Sequence, residues 1–137
     1  MFSSTPYIAF PGNAREVLEH YRDLFGGTLD LMTYDGMPDM GFTPPPGAVA
    51  HAQLHGGLVT LAGADEIGED PRPLTGSAYS LLIMPASVDE AKALIQRIVE
   101  AGGSLAMPFE QAPWGDHYGQ VTDRYGVLWQ VNVGGGS

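Results

Sequence analysis

Apolar residues recur at helical spacing in two stretches of the chain. In NAREVLEHYRDLF, residues 13–25, Ala14, Val17, Leu18, Tyr21, Leu24 and Phe25 share one face. In SVDEAKALIQRIVEA, residues 87–101, Val88, Ala91, Leu94, Ile95, Ile98 and Val99 do the same. Each stretch opens on a capping residue with a glutamate three positions later, Asn13 with Glu16 and Ser87 with Glu90. Each runs into a Gly-Gly pair, Gly26-Gly27 and Gly102-Gly103, where positive φ ends a helix at little strain. Two helices are therefore predicted. Around them the period shortens to that of strands. The runs Tyr7–Phe10, before Pro11, and Tyr79–Met84, before Pro85, predict a strand ahead of each helix. Thr28-Leu29 and Ser104-Leu105 start a strand after each. Two hairpins follow: His51–Leu54 turning at Gly56-Gly57 into Leu58–Ala62, and Tyr118–Val121 turning at Asp123–Gly126 into Val127–Val133.

Both halves thus read strand–helix–strand–strand–strand, and the match recurs at a spacing of about 70 residues, which marks an internal duplication. The expected organisation is a first module at 1–64, a linker at 65–76, a second module at 77–133 and a disordered tail at 134–137. The chief asymmetry is the loop from Asp35 to Gly47, whose Pro44-Pro45-Pro46 implies a stiff extended cover. A βαβββ unit rests one sheet face on its helix, and its other face must be covered or line a cavity. The fold class is α+β: two tandem βαβββ modules forming a curved sheet around a shared cleft, with the helices outside.

Particular residues carry a family likeness. They are Tyr7–Ala14 (YIAFPGNA), His20-Tyr21, Leu24–Gly27, His51–Leu54, Gly102-Gly103 and Met107-Pro108. The run from Pro113 to Asn132 adds Trp114-Gly115-Asp116, Tyr118-Gly119, Thr122-Asp123 and Tyr125–Trp129. Over residues 6–133 the chain resembles the vicinal oxygen chelate superfamily of glyoxalase I, bleomycin-resistance proteins and extradiol dioxygenases, and within it the PhnB-like branch. The resemblance implies the fold but no single reaction, because this fold hosts many. It also implies a divalent metal held by His, Gln or Glu from the first and last strands of each module. By spacing, those slots fall at Pro6, Thr60 or Leu61, Ser80 or Leu81, and Gln130. Only Gln130 has a suitable donor, and a metal of this kind wants three or four. The expectation is no metal and no other cofactor. His20, His51, His55 and His117 build no alternative site; His51 and His55 lie about 13 Å apart if both are on one strand.

Alternation places Ala50, Ala52 and Leu54 toward the first helix and His51, Gln53 and His55 on the concave side. The duplication maps Gln53 onto Gln120 and His51 onto Tyr118. Gln53, Gln120 and Gln130 are therefore candidate ligand-binding residues, with Phe42, Trp114, Phe109 and Trp129 as apolar walls. His51, a side chain of the type suited to proton transfer, with Tyr118 and Asp116, is the candidate acid–base group.

Composition narrows the function. Six basic residues against 16 acidic ones give a net charge of −10, and no basic residue lies between Arg22 and Arg72. That surface repels nucleic acid and anionic membranes. With no cysteine there is no disulfide, thiolate ligand or thiol nucleophile. No signal peptide or spanning segment is evident, so a cytoplasmic location is expected. No glycine-rich nucleotide loop or Gly-x-Ser-x-Gly elbow is present. The leading expectation is a metal-free protein that binds a small organic molecule, working as a homodimer because sheet edges invite pairing. The alternatives are a cofactor-free or atypical-metal lyase or isomerase using His51 as acid or base, and a dimeric structural or regulatory module.

Overall fold

The computed structural model describes residues 3–38, 41–68, 71–76 and 78–135. The expected tail, linker, long loop and second-module start reach Gly136 and Ser137, Glu69 and Asp70, Asp39 and Met40, and Ser77, which lie outside the described residues. The elements are β1 (Tyr7–Phe10), α1 (Ala14–Phe25), β2 (Thr28–Thr33), β3 (Val49–His55), β4 (Leu61–Asp65), β5 (Leu81–Ile83), α2 (Val88–Glu100), β6 (Ser104–Gln111), β7 (His117–Thr122) and β8 (Leu128–Val133). This is the α+β order of two tandem βαβββ modules. The strands form two four-stranded sheets, ordered β1-β4-β3-β2 and β5-β8-β7-β6. In each sheet the first strand runs parallel to the last and the other pairs are antiparallel. The chain divides into two compact units, Met1–Pro73 and Leu74–Ser137.

Each helix covers one face of its own sheet. α1 buries Ala14, Val17, Leu18, Tyr21, Leu24 and Phe25, facing the buried Ala52, Leu54 and Leu61 of β3 and β4. Fully buried side chains such as Leu18 and Tyr21 stabilise the unit by about 1.5–3 kcal/mol each. α2 buries Ala91, Leu94, Ile95 and Ile98, facing Val121, Trp129 and Val131 of β7 and β8. Val99, expected on this apolar face, is 38% exposed at its margin.

The helix starts differ from one another. Ser87 caps α2 as expected: its Oγ accepts from Glu90 N at 3.1 Å, and Glu90 Oε2 accepts from Ala86 N at 3.2 Å. Asn13 does not cap α1 through its side chain. Asp65, the last residue of β4 and the expected start of the linker, takes that place. Its Oδ1 accepts from Ala14 N and its Oδ2 from Val49 N, both at 2.8 Å. A buried carboxylate is a stronger acceptor for a helix N-terminus than an amide, and the parallel β1–β4 pairing brings it there.

The glycine pairs do more than end helices. A Cβ on Gly27 would lie 2.6 Å from His55 O, and one on Gly57 2.4 Å from Gly26 O. The helix exit and the β3–β4 turn therefore pack backbone against backbone. That contact lengthens the turn, and β4 begins at Leu61 rather than at Leu58, whose N–H instead donates to Phe25 O at 3.1 Å. The expected strand at Tyr79–Met84 is confined to Leu81–Ile83. The proline run of the long loop is not extended throughout: it ends in a turn, with Ala48 N donating to Pro45 O at 3.1 Å and Gly47 N to Asp35 Oδ1 at 3.2 Å.

Candidate functional site

In each sheet, the face away from the helix carries the polar positions of the strands. In the first unit β3 alternates from His51 to His55 as expected, with Ala52 and Leu54 buried and His51, Gln53 and His55 not, but Val49 is buried in place of Ala50, because the β2–β3 register shifts there. Registry sets Met32 opposite His51, Asp30 opposite Gln53 and Thr28 opposite His55. β1 contributes Tyr7, whose hydroxyl lies 3.2 Å from His51 Nδ1 and whose ring stacks on the imidazole at 5.8 Å between centroids. This contact fixes the His51 ring by one nitrogen. His55 Nε2 lies 2.6 Å from Asp30 Oδ2. Gln53 makes no side-chain hydrogen bond among the described residues.

In the second unit the equivalent positions are wired together. Gln120 Nε2 donates to the Tyr118 hydroxyl at 2.8 Å. Tyr118 donates to Gln130 Oε1. Gln130 Nε2 donates to Ser80 Oγ at 2.9 Å. All four side chains are half-buried. The pairs Leu82 with Gln130, Gln130 with Gln120, and Gln120 with Met107 form one row across the four strands. Leu82 and Met107 are 58% and 43% exposed. In the sequence Ser80 stands out only as a poor donor at an implied metal slot. Its place in the relay depends on the β5–β8 pairing and has no local signal.

The remaining candidates go elsewhere. Asp116 is committed to the β6–β7 hairpin, where Oδ1 accepts from Gly135 N at 2.8 Å and Oδ2 from Asn132 Nδ2 at 3.3 Å. It shares no hydrogen bond with Tyr118, and it holds Gly135 of the expected tail in place. Trp129 is no cavity wall: it is 1% exposed on the helix side, with Nε1 donating to Asp123 Oδ2 at 2.8 Å. Phe109 lies against Gly119, where an added Cβ would meet Phe109 Cα at 2.7 Å. That is the side of β7 opposite Tyr118 and Gln120, because neighbouring residues alternate. Trp114 stands 71% exposed at the hairpin tip. Phe42 packs edge-on against Tyr34 in the long loop, at 5.4 Å between centroids.

The donor set does not fit the metal that the family fold implies. The positions on the open faces of the first and last strands are Tyr7 and Ala9, Ala62 and Ala64, Leu82 with Ser80 just ahead of its strand, and Leu128, Gln130 and Asn132, the last with its amide tied to Asp116. Both ends of the Gln130 amide are taken up by Tyr118 and Ser80. Among the described residues no three His, Asp or Glu side chains converge. Burial, with Asp123 nearby, raises the pKa of Tyr79, whose hydroxyl donates to Leu74 O. That group is a tether, not part of either open face. No helix among the described residues is long and apolar enough to cross a membrane.

Comparison with known proteins agrees with this architecture. The family model described as the Glyoxalase/Bleomycin resistance protein/Dioxygenase superfamily matches residues 6–131. Protein YjdN of Escherichia coli is 29% identical over 143 residues, covering 94% of this chain and 93% of that protein. Among solved structures, protein PA1353 of Pseudomonas aeruginosa superposes with a TM-score of 0.74 at 32% identity, over 98% of each chain. A PhnB protein of Bacillus cereus superposes with a TM-score of 0.69 at 22% identity, over 96% of this chain and 99% of that one.

Proposed function

The chain belongs to the glyoxalase/bleomycin resistance protein/dioxygenase superfamily, and we propose that it binds a small organic molecule without the metal of that superfamily's enzymes. One observation carries this reading: the open sheet face of the second unit holds a ready-made series of half-buried, neutral polar side chains, from Gln120 through Tyr118 and Gln130 to Ser80. Core packing does not call for such a series, since each member could be apolar. A surface made only for water would leave the side chains to solvent rather than to one another. Side chains held in place before a ligand arrives lose little entropy when it binds. On the same reading His51 and Gln53 are the ligand-facing positions of the first unit's own open face, Trp114 and Phe42 are exposed apolar surface in the loops, and the working form is a homodimer.

Native mass spectrometry of protein purified from cells, with elemental analysis of the same sample, tests the proposal. The expected result is an organic adduct of small-molecule mass and less than about 0.1 equivalent of zinc, nickel, manganese or iron. About one equivalent of any of these metals would overturn the metal-free reading.

A second reading has its own support. The Tyr7 hydroxyl on His51 Nδ1 holds the imidazole so that Nε2 faces away from that contact, an arrangement that suits proton transfer. In this reading the chain is a cofactor-free or atypical-metal lyase or isomerase, with His51 as acid or base. Asp116 then supports the hairpin, because both its oxygens are engaged.

A further inference from the structure

The relay in the second unit has a direction, and its two ends differ. Tyr118 accepts one hydrogen bond and donates one, so its hydroxyl is filled. Gln130 spends its carbonyl on Tyr118 and an N–H on Ser80. Ser80 Oγ only accepts within the relay, and its own proton has no acceptor among the described residues. At the other end Gln120 gives one N–H to Tyr118, and its carbonyl oxygen has no donor among the described residues. The relay therefore presents the Ser80 hydroxyl as a donor at one end and the Gln120 carbonyl as an acceptor at the other, with the second N–H of each glutamine amide also open.

Geometry sets the span. Ser80 directly precedes β5, and Gln120 is on β7, with β8 between them. Ser80 lies two residues before Leu82, which is level with Gln130 and Gln120, so two strand spacings across and a two-residue rise along β5 separate the ends by about 12 Å. The middle of the relay keeps one open N–H on Gln130 and otherwise offers an amide and a phenol ring whose remaining groups are paired. Leu82 and Met107 flank the row with apolar surface. Charge completes the description. Glu110 lies opposite Tyr118 on β6 and is exposed, and the whole chain carries −10. Among the described residues no Lys or Arg makes a hydrogen bond or ion pair with this row, so an anionic group gains no such partner here and is repelled by the acidic field.

Building on the small-molecule reading above, we propose that this face takes an elongated, flat molecule without anionic groups, bearing a hydrogen-bond acceptor and a hydrogen-bond donor about 12 Å apart. The acceptor, a carbonyl or its equivalent, sits at Ser80. The donor, a hydroxyl or amine, sits at Gln120. Ser80 is the residue that selects the acceptor end.

Three probes test this with the full chain: a hydroxybiphenyl carboxamide, a hydroxybenzamide of half its length, and the hydroxybiphenyl carboxylate anion. Binding is followed through the side-chain amide signals of Gln120 and Gln130 in nitrogen–proton NMR spectra. The expected result is that the long carboxamide shifts both signals and binds at least tenfold more tightly than the other two. Ser80→Ala should weaken it about tenfold, Ser80→Thr should restore it, and both variants should keep the parent spectrum elsewhere. If the anion or the short probe binds as well, or if Ser80→Ala binds unchanged, the proposed ligand class is wrong while the small-molecule reading stands. If no probe moves either signal, both fall.

Discussion

The two units share a topology, yet they hold themselves together and present their open faces in different ways. Each contains one buried carboxylate that organises its surroundings. In the first unit it is Asp65, which accepts from Ala14 and Val49, residues 51 and 16 positions away. In the second it is Asp123, which accepts from Tyr125 N at 2.8 Å, Val127 N at 3.2 Å and Trp129 Nε1, all within six residues. One ties distant elements; the other stiffens a turn and anchors the largest core side chain. The open faces differ too. The first unit sets out ionisable groups, Tyr7 on His51 and His55 on Asp30. The second sets out a neutral, continuous series. Duplicated modules need only their helix-side cores to match in order to fold alike, so the outward faces are free to diverge.

The sharpest way to break the comparison is to remove each carboxylate in turn. Asp123→Ala strands three donors around a residue only 3% exposed, and should destabilise the protein by about 3 kcal/mol in urea melts. Asp65→Ala strands two and should lose about 2 kcal/mol. Asn13→Ala, at the expected cap, should change stability by less than about 0.5 kcal/mol. If Asn13→Ala proved as harmful as Asp65→Ala, the assignment of the cap to Asp65 would be wrong.

A smaller effect sharpens the contrast between the faces. Gln130→Leu removes two hydrogen bonds and leaves Tyr118 and Ser80 to solvent, a loss of about 1 kcal/mol. Gln53→Leu, at a position without a side-chain partner, should stay within about 0.5 kcal/mol. Equal melting temperatures for the two variants would show that the relay adds nothing to stability beyond what the isolated glutamine adds.

The smallest effect is a pH dependence confined to the second unit. Burial first, and Asp123 second, favour the neutral form of Tyr79 and raise its pKa in the folded state. Its contribution is complete below the unfolded tyrosine pKa of about 10, and is lost as pH rises through the higher folded value. Tyr79→Phe should flatten the alkaline limb of stability against pH and leave the neutral region shifted only by the lost bond to Leu74 O. An unchanged alkaline limb would assign that pH dependence to other groups.

Much of the fold was legible in the chain because it follows from local order. Two amphipathic periods, the Ser87–Glu90 cap, the Gly-Gly stops and the alternation of β3 each depend on residues a few positions apart. So does the Asp123–Gly126 turn. The duplication then supplied the pairing of Gln53 with Gln120 and His51 with Tyr118 without any coordinate. What the sequence could not show was which side chains meet across long separations. Asp65 reaches α1 only because β4 runs parallel to β1. Ser80 reaches Gln130 only because β5 pairs with β8, 50 residues on. Phe109 lies on the far side of β7 because the β6–β7 register shifts between Met107 and Glu110. Periodicity determines which face a side chain takes. Register and strand order determine what it meets there, and these are set by the tertiary packing of the whole unit.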